Sequence, residues 1–268
     1  MVFYKTVGAW HGMPDAPRVE IWARHALPLQ DAKLPAMENS ISSLQQRVFV
    51  ALDVPSQERA IELATQLKPA VGGYKVGLEL FVSCGPQIFE HINPARTFLD
   101  LKFHDIPNTA AGAARAAARL GVLMCNVHCL GGLQMMRAAA DAAHEENPAT
   151  KIIGVTILTS HEAASLQQIG LDKDPANAVI HLAALAKEAG LDGVVCSPQE
   201  IAAVRETCGE DFLIVTPGIR PAKSTSDDQK RTLTPRQALQ NGADWIVVGR
   251  PVTAAENPLD AAQHLFDE

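Results

Sequence analysis

The sequence predicts an α/β fold in which eight parallel strands close into a barrel. Short apolar segments rich in β-forming residues recur eight times from residue 47 onward, and an Ala/Leu/Glu-rich stretch of helical character follows each of them. Strands that alternate with helices pair in parallel through right-handed crossovers. The apolar segments are continuous, as is typical of strands buried on both faces. Eight such units over about 220 residues favour a (β/α)8 (TIM) barrel over an open sheet.

The predicted strands are short and separated by predicted helices. The strands are Val48–Val54, Tyr74–Leu80, Thr97–Phe103, Leu123–Leu130, Lys151–Leu158, Gly193–Ser197, Phe212–Thr216 and Trp245–Gly249. The helices are Gln57–Leu67, Thr109–Leu120, Leu133–His144, Ala176–Ala189, Pro198–Thr207, Thr234–Asn241 and Pro258–Phe266. Ser56 is a typical N-cap residue, and Gly121, Gly190 and Gly242 follow three of the helices, as glycine commonly does at helix ends.

Residues 1–46 differ from the rest of the chain and are predicted to form an N-terminal extension before a single barrel domain over 47–268. The segment shows neither an apolar stripe nor strand alternation. It lacks the basic start and apolar stretch of a secretory signal, and acidic residues such as Asp15 argue against a transit peptide. Two interpretations are open: a poorly ordered or mis-started leader with Met37 as the true initiator, or a docking arm.

The amino-acid composition argues against some classes of partner and favours one cellular compartment. The 268 residues carry a formal charge of −7, which argues against a surface that neutralises nucleic-acid phosphates. No apolar run is long enough to span a bilayer. The five cysteines are an odd number and scattered, and three lie in apolar runs. This usage is typical of reduced, buried thiols in a cytoplasmic protein.

Charged residues gather at the carboxyl ends of the predicted strands, where the active sites of such barrels lie. Asp100 and Lys102 share one face of the third strand by the two-residue period, and Asp105 follows at its exit. Lys75 on the second strand extends this into a row of alternating charges. Such a row is costly to bury unless each member is paired, which indicates a function on charge developing in a substrate. Carboxylates beside Lys102 favour its protonated form, so it suits proton donation better than Schiff-base chemistry.

A second group of residues predicts an anion site. Thr216–Arg220 follow the seventh strand, and Val247–Arg250 end the eighth. The loops after these two strands commonly bind phosphate in (β/α)8 barrels, through backbone N–H groups and a guanidinium. The polar stretch Pro221–Arg231, which includes Asp228-Gln229, is the best candidate for a mobile lid.

The segment Leu99–Thr109, with the sequence LDLKFHDIPNT, closely resembles the signature of the orotidine 5'-monophosphate decarboxylases, which catalyse the last step of UMP synthesis. Further matching segments follow the order of that family: Ala51–Val54, Lys75–Gly77, Val155–Ser160, Thr216–Pro221, Asp228-Gln229 and Val248–Arg250. The resemblance runs from Arg47 to the C-terminus and is to the bacterial branch.

The resemblance implies a decarboxylase that needs neither cofactor nor metal. Lys102 would protonate C6 of the pyrimidine after CO2 leaves, and Asp100 would lie beside the substrate carboxylate. Lys75 would complete the charged row and contact the ribose. Asp105 would reach into the active site of the neighbouring subunit, which implies a homodimer with shared sites.

Substrate-binding roles are implied for a wider set of positions. These are Asp53 and Lys75 at the ribose, Thr109 from the neighbouring subunit, Thr159 at the pyrimidine ring, Pro217 lining the pocket, and Arg220, Gln229, Gly249 and Arg250 at the 5'-phosphate. The expected partners are therefore orotidine 5'-monophosphate, UMP and a second copy of the chain, with no nucleic acid or membrane.

Three alternatives are weighed against this function. The relatives 3-keto-L-gulonate 6-phosphate decarboxylase and hexulose 6-phosphate synthase have a similar Asp-x-Lys-x-x-Asp segment and use Mg2+, but they are not expected to share the longer Phe103–Thr109 run. A catalytically silent barrel that binds a nucleotide or a protein is the second alternative. A zinc site at Cys125, His128 and Cys129 is disfavoured, because strand alternation directs His128 away from the two thiols.

Overall fold

The structure, a computed structural model, describes residues 42–171, 174–221 and 233–267. Eight parallel strands form a closed barrel in chain order, in which β8 pairs with β1. The strands are β1 (Val48–Ala51), β2 (Gly73–Gly77), β3 (Thr97–Phe103), β4 (Met124–His128), β5 (Lys151–Val155), β6 (Gly193–Val195), β7 (Leu213–Thr216) and β8 (Trp245–Val248). The predicted (β/α)8 barrel is confirmed.

Helices follow the strands along the described chain. They are α1 (Gln57–Leu67), α2 (Leu78–Cys84), α3 (Pro107–Arg119), α4 (Gly132–Glu146), α5 (Ala163–Gln168), α6 (Pro175–Glu188), α7 (Ile201–Cys208), α8 (Pro235–Gln240), α9 (Arg250–Thr253) and α10 (Pro258–Gln263). The Ser56 hydroxyl accepts from the backbone N–H of Arg59 at 3.2 Å, which confirms the predicted N-cap of α1. Gly121, just after α3, has the left-handed φ of 75° that favours glycine there.

The predicted elements differ from the observed ones mainly where strands end. The strand predicted over Tyr74–Leu80 ends at Gly77, and its last residues open α2 instead. Periodicity within an apolar run cannot separate the end of a strand from the start of a helix. The first strand likewise stops at Ala51 rather than Val54. The helices α2, α5 and α9 were not predicted; each has only four to seven residues, too few for a clear helical period.

Apolar side chains fill the barrel interior below the charged residues at the carboxyl ends of the strands. Phe49, Phe98 and Trp245 belong to one buried cluster inside the barrel, and the rings of Phe49 and Trp245 stack with centroids 4.3 Å apart. The two-residue period of the strands carries the same inward face from Phe98 to Asp100. The apolar layer therefore forms the floor beneath the charged residues at the carboxyl ends.

Two predictions concern residues that lie mostly outside the described ranges. Of the predicted extension over residues 1–46, the structure describes only residues 42–46. Within this part, the Gln45 side chain donates to the carbonyl of Gln263 at 3.0 Å. Met37 lies outside the described residues, so its role as initiator stays a prediction. In the part of the chain that is described, no helix has the length and apolar character to cross a membrane.

Candidate active site

Four side chains from the loop after β1 and from β2 and β3 form a row of alternating charge at the carboxyl end of the barrel. Lys75 Nζ lies 2.8 Å from Asp53 Oδ1 and 3.3 Å from Asp100 Oδ2. Lys102 Nζ lies 2.6 Å from Asp100 Oδ1. Three members of the predicted row, Lys75, Asp100 and Lys102, therefore meet, with the buried Asp100 between two ammonium groups. The fourth member is the exposed Asp53 rather than the predicted Asp105.

For Lys75 and Asp100, the effect of the neighbouring opposite charges on the pKa outweighs the effect of burial. Burial lowers the pKa of Lys75, but the carboxylates of Asp100 and Asp53 raise it by more, so the pKa lies above its ordinary value. Burial raises the pKa of Asp100, but Lys75 and Lys102 together with the Asn126 amide bring it below its ordinary value. Both groups are thus charged at neutral pH although their side chains are nearly buried.

Two glycines on β2 make room for the row. A Cβ at Gly77 would lie 2.8 Å from Asp53 Oδ1 and 3.0 Å from Lys75 Nζ, so a side chain there would press on this ion pair. A Cβ at Gly73 would lie 2.3 Å from the carbonyl oxygen of Arg96 and 2.8 Å from the Phe49 ring, so only glycine fits between this backbone and the aromatic floor. Gly77 therefore leaves room for the Asp53–Lys75 ion pair, and Gly73 leaves room for the close packing at the start of β2.

The strand that carries Asp100 and Lys102 is irregular where it reaches the site. Leu99 pairs with Cys125 and Phe103 with Val127, so three residues of β3 lie opposite the single residue Asn126. Lys102 has a φ of 52°, the only positive φ of a non-glycine residue within the described ranges. For an ordinary residue this conformation costs about 1–2 kcal/mol. Asp100 and Lys102 meet as predicted, but a bulge rather than simple strand alternation brings them together.

The buried side chain of Asn126 spans this bulge. Its Oδ1 accepts from the backbone N–H of Lys102 at 2.7 Å, and its Nδ2 donates to Asp100 Oδ1 at 2.8 Å. Asn126 has no exposed surface. Asn126 is not among the residues predicted from the sequence. An amide within the apolar run of β4 is nevertheless a signal of its importance, since buried polar groups need specific partners.

The predicted anion site is partly described. Gly218, with a φ of 77°, and the half-buried Pro217 and Arg220 follow β7. Gly249 and the exposed Arg250 follow β8, where Arg250 begins the short helix α9. Because β7 and β8 are neighbours, both loops lie at the same sector of the rim. Gln229 and most of the predicted lid lie outside the described residues.

The remaining predicted residues occupy different parts of the same end of the barrel. Thr159 is half-buried in the loop after β5. Asp105 is exposed between β3 and α3, and its Oδ1 accepts from the backbone N–H of Ile106 at 2.6 Å. Thr109 is exposed in the first turn of α3. Among the described residues, the structure does not bring Asp105 or Thr109 into the charged row of its own chain.

Comparison with known proteins identifies the family that carries this site. The family model described as "Orotidine 5'-phosphate decarboxylase / HUMPS family" matches residues 46–265. The chain belongs to this family. The orotidine 5'-phosphate decarboxylase of Halorhodospira halophila is 55% identical over 224 residues, which cover 83% of this chain and 95% of that protein. The enzyme of the same name from Nitrosococcus oceani is 52% identical, with 83% and 97% covered.

A solved structure gives the same relationship at the level of the fold. The crystal structure of orotidine 5'-phosphate decarboxylase from Lactobacillus acidophilus superposes with a TM-score of 0.73 and 39% sequence identity, covering 82% of this chain and 97% of that one. The match to the decarboxylase family thus covers the barrel.

Histidines and cysteines near the site of this family member do not resemble a metal centre. The His104 and His128 rings stack with centroids 5.4 Å apart. Burial, together with the nearby His104, Lys102 and His161, lowers the pKa of His128 to about 4. Burial raises the pKa of the Cys125 and Cys129 thiols to about 12, as is typical of buried structural cysteines.

Proposed function

We propose that this protein decarboxylates orotidine 5'-monophosphate to UMP and CO2, as the last step of pyrimidine nucleotide synthesis. The observation that carries the proposal is the charged row, in which Asp100 accepts from Lys102 at 2.6 Å and lies 3.3 Å from Lys75. Relatives about half identical over most of their length bear the name of this enzyme. The metal-dependent sugar-phosphate activities of the wider family are the second candidate.

The row suits a reaction that develops negative charge at a carbon atom. Loss of CO2 from the orotate ring leaves an electron pair at C6, which has no adjacent carbonyl to delocalise it. We propose that the Lys102 ammonium stabilises this charge and then donates the proton that forms the C6–H bond of UMP. A fixed cation in a site shielded from water acts strongly on such charge and needs little reorganisation. Asp100 would hold Lys102 in place and lie beside the departing carboxylate.

Substrate binding would use the rest of the rim. Arg220, Gln229, Gly249 and Arg250 would hold the 5'-phosphate, while Pro217 and Thr159 line the pocket at the pyrimidine. Asp53 and Lys75 would contact the ribose. The phosphate is remote from the bond that breaks, so its binding energy can order the site without taking part in the chemistry.

The active unit we propose is a homodimer in which Asp105 and Thr109 enter the partner's site. Large apolar side chains lie exposed just after β2 and β3, where Val82 is 80% and Ile106 is 67% exposed. The exposed Ile106 lies between Asp105 and Thr109 in the chain, and an exposed apolar side chain there suits contact with a second copy. We expect the cytoplasm to be its compartment, because all five cysteines are free thiols and four of them are buried.

The test is turnover of orotidine 5'-monophosphate by the purified protein in excess EDTA. We expect the orotate-ring absorbance to fall and UMP to appear at the same rate. Activity that needs added Mg2+, and that acts on 3-keto-L-gulonate 6-phosphate instead, would assign the sugar-phosphate function. Tight UMP binding without turnover would indicate a silent barrel.

A further inference from the structure

The side chain of Asn126 connects the two charged groups on which the proposed reaction depends. One end of its amide accepts from the backbone of Lys102, and the other donates to the oxygen of Asp100 that also accepts from the Lys102 ammonium. We propose that Asn126 is a positioning residue that sets the place of the Lys102 ammonium relative to the reacting carbon. This inference rests on the proposed function.

The backbone gives the reason why an amide is needed at this position. Asn126 lies opposite the three-residue bulge of β3, where regular strand pairing is interrupted. The Lys102 N–H would lack a strand partner there, and Asn126 Oδ1 supplies one at 2.7 Å. Lys102 is held in a left-handed conformation that its residue type disfavours, so the surrounding contacts must fix it. Asn126 makes one of those contacts.

The second hydrogen bond orients the carboxylate. Asp100 Oδ1 receives both the Asn126 amide at 2.8 Å and the Lys102 ammonium at 2.6 Å, while Oδ2 faces Lys75. A carboxylate free to rotate could exchange these partners. With the amide in place, each oxygen keeps its own lysine. Asn126 is fully buried beneath this pair, so it acts through Asp100 and Lys102 rather than on substrate.

Two substitutions of similar size separate the hydrogen bonds from the packing. Asn126→Leu keeps most of the volume but removes both hydrogen bonds. Asn126→Asp keeps the acceptor for the Lys102 N–H, and its protonated form also restores a donor toward Asp100. The new carboxyl would lie against the Asp100 carboxylate and the backbone N–H of Lys102, and the Lys102 ammonium binds the same oxygen of Asp100.

For Asn126→Leu we expect kcat to fall roughly 100-fold while KM changes by less than about threefold, because the phosphate and ribose contacts remain. For Asn126→Asp we expect the ratio of its kcat to that of the wild type to rise from about pH 8 to about pH 6, as the new carboxyl gains a proton beside Asp100. A kcat of Asn126→Leu within about threefold of wild type contradicts the proposal. If Asn126→Leu does not fold, Asn126→Asp provides the test. If the kcat of Asn126→Asp relative to the wild type is low and is the same at about pH 6 and about pH 8, the proposal is contradicted.

A crystal structure of Asn126→Leu tests the positioning without turnover. We expect Lys102 to leave the left-handed region and its ammonium to lose the contact with Asp100. Unchanged Lys102 and Asp100 would contradict the inference, whereas an inactive wild-type protein would contradict only the proposed function.

Discussion

The ammonium of Lys75 lies 3.3 Å from the carboxylate of Asp100, although the two residues come from different strands. Lys75 pairs in register with Phe98, two residues before Asp100 on the same inward face. The long lysine side chain covers this offset. The contact is therefore built by the pairing of β2 with β3 and is not available to either strand alone.

Removal of the Asp100 charge should destabilise the fold more than removal of the Asp53 charge. In Asp100→Ala, two lysines lose a shared, nearly buried partner, whereas the Asp53 side chain is 57% exposed and its loss can be compensated by water. We expect a loss of about 3 kcal/mol for Asp100→Ala and less than about 1 kcal/mol for Asp53→Ala. Urea unfolding of both variants measures the difference, and equal losses would show that Asp100 is not the centre of the row.

Arg250→Ala should weaken binding of the phosphate while leaving the chemistry intact. Arg250 stands at the start of α9, just after β8. We expect KM for orotidine 5'-monophosphate to rise roughly 10- to 100-fold, with weaker UMP binding but unchanged uridine binding. Calorimetric titration with UMP and with uridine separates the two effects. Arg59→Ala on α1, where the arginine pairs with Glu62 and is 41% exposed, is the control. An equal loss for uridine would refute a phosphate contact.

Subunits with different defects should complement each other. In a symmetric dimer with shared sites, a mixed dimer of Lys102→Ala and Asp105→Ala holds one site with both residues intact. Random reassociation makes half of the dimers mixed, so activity should return to about a quarter of the wild-type rate. The measurement is the turnover of the mixture after dissociation and reassociation, compared with each variant alone. No recovery in a mixture that forms dimers would rule out the cross-subunit role of Asp105.

His128 should make the fold less stable in acid. Its pKa is about 4 in the fold and 6.5 in its ordinary state, so the unfolded chain binds the proton more readily between these values. The free energy of unfolding therefore rises with pH through this window and falls on acidification. Since the ring is only partly buried, we expect an effect of roughly 1–2 kcal/mol.

Unfolding curves of His128→Gln against wild type at both ends of the window check this prediction. His181→Gln, on the exposed side of α6, is the control. If His128→Gln shows the same slope with pH as the wild type, the ring does not lose its proton on folding.

Much of this architecture is encoded locally and could be read from the sequence. The continuous apolar strands and the helix-ending glycines predict the barrel, and the alternation of Asp100 and Lys102 predicts a charged site at its rim. The place of Lys75 in the charged row also follows from the order of neighbouring strand ends. These features depend on residue type and chain order alone.

Other features depend on tertiary pairing and could not be predicted in this way. The bulge of β3 and the left-handed Lys102 follow from the register with β4, which local periodicity does not report. The role of Asn126 opposite the bulge can be recognised only once that register is known. The end of β2 at Gly77 was missed because the apolar run continues into α2 without a break.

The central claim is that the Lys102 ammonium carries the chemistry without a metal, and the rate of Lys102→Ala tests it most directly. The initial loss of orotate-ring absorbance in excess EDTA should fall by more than about 10³-fold in this variant, while UMP binding is retained. Lys68→Ala, at the exposed end of α1, should keep the wild-type rate. A Lys102→Ala variant that binds UMP and keeps most of the wild-type rate would contradict the account.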